Sequence, residues 1–131
     1  MCQRFAPEPA SSRAARAFVR DHLSHAGVDV WPAELLVSEL VANVIEHVAL
    51  DFTVHISVDP VRVSVTDPGS ADGVRVIVAA DDDDRGRGLL LVSELAARWG
   101  VTPHPEGGKT VWFELAPTTP GATSRSGPGA P

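Results

Sequence analysis

The chain has 131 residues, 44% hydrophobic and 21% charged, which fits one globular domain able to bury roughly two-thirds of the surface its unfolded chain exposes. With a formal net charge of -6 and Lys109 the only lysine, no broad basic surface exists to neutralise a phosphate backbone, so nucleic acid is not expected as the main partner. Cys2 is the only cysteine, which excludes an internal disulfide and a thiol cluster for zinc; no apolar run has membrane-spanning length, and the expectation is a soluble, cytoplasmic protein.

Residues 1–10 carry Pro7 and Pro9 and read as an irregular lead-in, with Phe5 tucked onto the domain. A helix then starts from a Ser11 or Ser12 cap and runs to about His25, where Gly27 suits a left-handed C-terminal cap. On it Ala15, Phe18, Val19 and Leu23 share one side, and Arg13, Arg16 and Arg20 the other. His22, on the apolar side, is expected to be a partly buried, hydrogen-bonded residue rather than a ligand. A second helix begins near Pro32, a favoured first-turn residue, and continues to about His47. Its apolar arc is Val37, Leu40, Val41, Val44, Ile45 and Val48.

FTVHISV (52–58) and VRVSVTD (61–67) alternate apolar with polar residues around Asp59 and Pro60, which predicts a β-hairpin. Residues 68–87 form a long loop with a candidate strand at 74–78 and the acidic run Asp81 to Asp84; loops of this length inside a compact domain are often functional. Residues 88–98 are helical in pattern, with Leu89, Val92, Leu95 and Ala96 on one face and Gly100 as the stop. A second hairpin pairs roughly 99–104 with 109–115 through PEGG. Residues 117–131 contain only Pro, Thr, Gly, Ala and Ser with a single Arg, offer nothing to a core, and are expected to be disordered. The folded domain is therefore 11–116. Its element order predicts an α+β fold: a two-layer sandwich of a mixed or antiparallel β-sheet with helices on one face.

Four stretches combine residues suited to chemistry. In ELVANVIEHV, Glu39 and Asn43 lie about 40° apart around the helix, flanked by Glu46 and His47 and almost opposite the apolar arc. That suits a solvated face; it also suits a carboxylate base one turn from an amide that helps hold magnesium. Asp67, followed by Pro68 and Gly69, suits a turn and equally an acceptor for an adenine amino group, with the glycine letting a ring approach the backbone. Gly86 and Gly88 directly precede a helix, whose free N–H groups and dipole favour phosphate, although the neighbouring Asp81 to Asp84 oppose it unless offset by Arg85 and Arg87. Lys109 and Thr110 open the last strand, where a hydroxyl meets a phosphate or an adenine edge if that strand lies beside the one carrying Asp67.

In this order the stretches resemble the motifs of the GHKL (Bergerat-fold, histidine-kinase-like) ATPases: ELVANVIEH the N box, TDPG the first glycine box, GRGLLLV the second, and GKTVWFEL the closing strand. The resemblance spans about 5–115, and the wording of the motifs is most like that of stand-alone anti-sigma-factor serine kinases. Ala71 stands where the family's first glycine box usually has a second glycine. The resemblance implies Glu39 as general base, Asn43 as magnesium ligand, Asp67 as the adenine contact, Gly69 beside the ring, Gly86 and Gly88 around the phosphates, and Thr110 near the adenine. ATP and Mg2+ are the implied cofactors. It further implies a protein serine kinase that transfers the γ-phosphate of ATP to a serine of an antagonist protein, with a sigma factor as the other partner; relatives commonly form homodimers. The alternative is a non-catalytic anti-sigma or regulatory binding module whose conformation is set by ATP, or that no longer binds it. In either case Arg13, Arg16 and Arg20 form a candidate docking face.

Overall fold

The computed structural model describes residues 1–70 and 95–117. In chain order these form β1 (Cys2–Phe5), α1 (Pro9–Leu23), α2 (Val30–His47), β2 (Phe52–Val58), β3 (Val61–Asp67), β4 (Arg98–Pro103) and β5 (Lys109–Glu114). The strands make one sheet in the order β1-β2-β3-β5-β4, with every neighbouring pair antiparallel. The fold is α+β, as the element order predicts.

Alternation of side chains across the sheet builds the core. Phe52, Val54 and Ile56 on β2, Val61, Val63 and Val65 on β3, and Val111 and Phe113 on β5 all point to one face and are buried. The helices supply the matching apolar stripes, Ala15, Val19 and Leu23 from α1 and Ala33, Leu36, Val37, Leu40, Val41 and Val44 from α2, and the two layers form a single cluster. The opposite sheet face is polar: the Arg62 guanidinium lies 4.0 Å over the Trp112 ring, and Arg62 and Arg98 both pair with Glu114. Val58 pairs with Val61, leaving Asp59 and Pro60 as the connection, with a cis peptide bond between them. No helix among the described residues is long and apolar enough to cross a membrane.

Several local features differ from the sequence reading. Residues 2–5 are a strand, not an irregular lead-in: they pair with the free edge of β2, where Phe5 sits opposite Phe52 and stacks on it at 5.5 Å between centroids. Burying that ring and satisfying the edge of β2 outweigh the local signal of Pro7 and Pro9. Helix α1 begins at Pro9, whose missing N–H costs nothing at the first helical position; Ser11 is no cap, its hydroxyl donating back to the Ala6 carbonyl at 2.6 Å. Arg98 opens β4 instead of closing a helix, because its strand pairs with β5. His22 behaves as expected, half-buried with Nδ1 donating to the Phe18 carbonyl at 2.8 Å.

Ala49 ends α2 in the left-handed region, with φ 57° and its N–H on the Val44 carbonyl. A β-carbon there costs about 1–2 kcal/mol, against about 0.4–1 kcal/mol of extra unfolded-state entropy for glycine. Ala49→Gly is therefore expected to stabilise the protein by about 0.5–1 kcal/mol, read as a higher urea midpoint at unchanged slope; a lower midpoint contradicts this account of the helix end.

Candidate functional site

Asp67 terminates β3 on the face its odd-numbered neighbours bury, and only 4% of it is exposed. The β3–β5 register sets Lys109 directly opposite on the same face, 6% exposed, with Nζ donating to Asp67 Oδ1 at 2.8 Å. The Gly69 N–H donates to the same oxygen at 2.6 Å. Oδ2 is buried and has no hydrogen-bond partner among the described residues. A buried acceptor without a donor is costly, so this atom marks a place where an incoming donor gains more than its ordinary worth.

Two glycines shape this corner. A β-carbon on Gly69 would stand 2.6 Å from Val48 Cγ2, 2.9 Å from Asp67 Oδ1 and 3.2 Å from Lys109 Nζ. Gly69 is thus the point where the end of α2, the carboxylate and the ammonium converge. Gly108 has φ 95°, and a β-carbon on it would lie 2.7 Å from the Asp67 carbonyl oxygen, a backbone atom that cannot swing aside. The strained φ costs about 1–2 kcal/mol and the collision about 1–3 kcal/mol. Gly108→Ala is expected to lose about 2–5 kcal/mol in urea unfolding, and a change below about 0.5 kcal/mol, the ordinary surface value, would contradict the close approach.

Thr110 is not brought beside Asp67. It pairs with Thr66 on the outer sheet face, where the two hydroxyls are 2.8 Å apart and His104 Nε2 is 2.7 Å from Thr110 Oγ1. Adjacency of the last strand to β3 holds as the sequence reading required, but successive residues face opposite ways, so Lys109 is the side chain that reaches Asp67. The signal was present: buried Val111, Phe113 and Leu115 assign odd positions of this segment to the interior, and Lys109 shares their parity. A shallow depression of about 350 Å³ at these strand ends joins Asp67 to Thr66, His104, Asp51 and Arg4. Arg4 and Asp51 are ion-paired there at 3.2 Å.

Glu39 and Asn43 lie on α2, both half-buried, and neither side chain makes a hydrogen bond or ion pair among the described residues. They are not opposite the apolar arc, as the wheel suggested, but border it, next to buried Leu36 and Leu40. Buried Leu36 widens the arc toward them. Glu34, which pairs with Arg20 of α1 at 3.1 Å, lies about 140° around the helix from Glu39, so the Glu39–Asn43 stripe occupies the flank turned away from α1. Farther along α2, Val48 touches the Gly69 corner. Gly86, Gly88, Ala71 and the run Asp81 to Asp84 lie outside the described residues.

A helix layer over one face of an antiparallel sheet, with a buried carboxylate at a strand end and a free carboxylate–amide pair on the covering helix, defines a two-layer sandwich equipped with acceptors for a polar ligand. The chain belongs to the histidine kinase-like ATPase domain family, which matches residues 5–115. Membership implies ATP binding. Among solved structures the chain is similar to the RsbU and RsbW domains of a protein from Mycobacterium tuberculosis, with a TM-score of 0.63, 21% identity and coverage of 92% of this chain but 33% of the other. It thus spans about a third of that chain's length. It is also similar to the SiaB–SiaC complex from Pseudomonas aeruginosa, with a TM-score of 0.62, 14% identity and 88% of each chain covered. At these identities the likeness is one of fold. No curated protein sequence matches the chain.

The residues present fit the nucleotide the family implies. Asp67 Oδ2 lacks a donor, and an adenine amino group is one. The side-chain oxygen of Asn43 has no competing partner among the described residues, and hard oxygen donors are what magnesium takes.

Proposed function

We propose that this protein is an ATP-binding regulatory protein of the anti-sigma type, a serine kinase that transfers the γ-phosphate of ATP to a serine of an antagonist protein in the cytoplasm. The observation that carries the reading is the buried, unpartnered Asp67 Oδ2 at a strand end, in a chain of the ATPase-domain family. Magnesium ATP, when bound, supplies the transferable phosphoryl group and the metal charge that offsets its oxygens. Asp67, oriented by the Gly69 N–H and Lys109, accepts from the base amino group. Asn43 offers its side-chain oxygen to the metal, and Gly86 and Gly88 cradle the phosphates with backbone N–H groups. Glu39, one turn from Asn43, takes the proton of the attacking serine hydroxyl.

Arg13 and Arg16, which have no partner among the described residues, supply the rest of the docking face for the sigma factor or the antagonist. Arg20 shares its guanidinium with Glu34, whose hydrogen bond first and charge second raise the arginine above its ordinary pKa, so it docks a partner as a positive group already half satisfied.

One observation favours the second reading, a non-catalytic module: Lys109 and Val48 already crowd the corner beside Gly69. Titration of magnesium ATP into the protein, followed by Trp fluorescence or heat, tests the shared part. Saturable binding that is weakened at least tenfold by Asp67→Asn is expected, about the worth of one hydrogen bond to a charged acceptor. Absence of binding at millimolar ATP removes the nucleotide from both readings.

A further inference from the structure

The sequence motifs account for Asp67 and Gly69, but not for the buried lysine between them. Lys109 Nζ lies 2.8 Å from Asp67 Oδ1 and 3.2 Å from the point where a Gly69 β-carbon would stand, so the ammonium sits at the same corner as the free Oδ2. We infer that Lys109 is a specificity-determining residue of the nucleotide site, reading the ring acceptor next to the base amino group; this rests on the ATP-binding reading above.

The physical reason is the order of charges along the carboxylate. A base that donates its amino group to Oδ2 turns the neighbouring ring nitrogen toward the Oδ1 side. There a lone pair would meet an anionic oxygen and be repelled. The ammonium stands on that oxygen, and an ammonium has three donors, of which one is on Oδ1. A second of these donors on the ring nitrogen turns the repulsion into a charge-assisted hydrogen bond. Asp67 and Lys109 thus form an acceptor–donor pair that matches an edge with an amino group beside a ring nitrogen, which is the edge of adenine.

The experiment compares ATP, 1-deaza-ATP and 7-deaza-ATP on the unaltered protein by calorimetry with magnesium. 1-Deaza-ATP keeps the amino group but lacks the ring nitrogen in question; 7-deaza-ATP keeps both groups. The expected result is that 1-deaza-ATP binds about ten- to a hundredfold more weakly than ATP, the worth of one hydrogen bond to a charged group, while 7-deaza-ATP binds within about threefold of ATP. In Lys109→Met the penalty for 1-deaza-ATP is expected to vanish. Equal binding of ATP and 1-deaza-ATP by the unaltered protein overturns the inference alone, as does tighter ATP binding by Lys109→Met, which would make the lysine a plug. If the unaltered protein binds none of the three, the nucleotide reading falls and this inference with it. The comparison of analogues needs no variant, so it decides the matter even where Lys109→Met folds poorly.

Discussion

Lys109→Met is expected to cost about 3–5 kcal/mol of folding stability, a large share of the roughly 5–15 kcal/mol that a domain of this size possesses. The Lys109 and Asp67 side chains are 7% and 1% exposed, so the pair is deep enough for its desolvation to be nearly complete. Removing only the cation leaves an anion whose Oδ2 already has no partner among the described residues and whose Oδ1 keeps only the Gly69 N–H. The stored cost is that of an uncompensated buried charge, and much of it returns when the charge is removed as well. Lys109→Met combined with Asp67→Asn should therefore be more stable than Lys109→Met alone, since asparagine carries no charge and still offers an oxygen to Gly69. Urea unfolding of the two single variants and the double variant, at matched slopes, reads this coupling. A single-variant loss below about 1 kcal/mol, the range of an exposed pair, would show that water reaches the site and that the ion pair is not a structural element.

Glu39→Gln is expected to separate function from fold. On the kinase reading the exchange lowers the rate of phosphate transfer to the antagonist serine about 10²–10⁴-fold, the usual contribution of a positioned base, with ATP affinity changed by no more than about threefold. Stability should move by less than about 0.5 kcal/mol, because the Glu39 side chain has no partner among the described residues for its loss to strand. Single-turnover transfer measured beside the urea midpoint gives both quantities. An unchanged rate with ATP bound removes Glu39 from the chemistry, whereas no transfer by the unaltered protein with ATP bound leaves the ATP-set binding module as the reading that stands. A large stability loss instead would mean that the carboxylate is held by a contact with residues beyond those described.

Several features were legible in the sequence for one reason: they are written in local periodicity. The 3.6-residue recurrence of Val19, Leu23, Leu36, Leu40 and Val44 and the two-residue alternation of 52–58, 61–67 and 111–115 report which side chains meet the core, whatever lies across from them. Asp67 at the end of its strand and Gly69 two residues on were likewise visible, because strand ends and turns are marked by neighbouring residues.

The composition and the periodic pattern by themselves determined the α+β class, the hairpins and the two covering helices, and the wording of four stretches carried the resemblance to the family. Only the tertiary structure decided that 2–5 adds an edge strand, since a four-residue segment forms only when a partner edge awaits it. It alone decided the register that sets Lys109, whose inward parity the sequence already carried, opposite Asp67 across 42 residues of sequence, and that Glu39 and Asn43 border the buried arc instead of opposing it. Those outcomes depend on which strand lies beside which, and in what register; a strand carries its own period in its residues, but its register against a partner is set by the packing of the whole core.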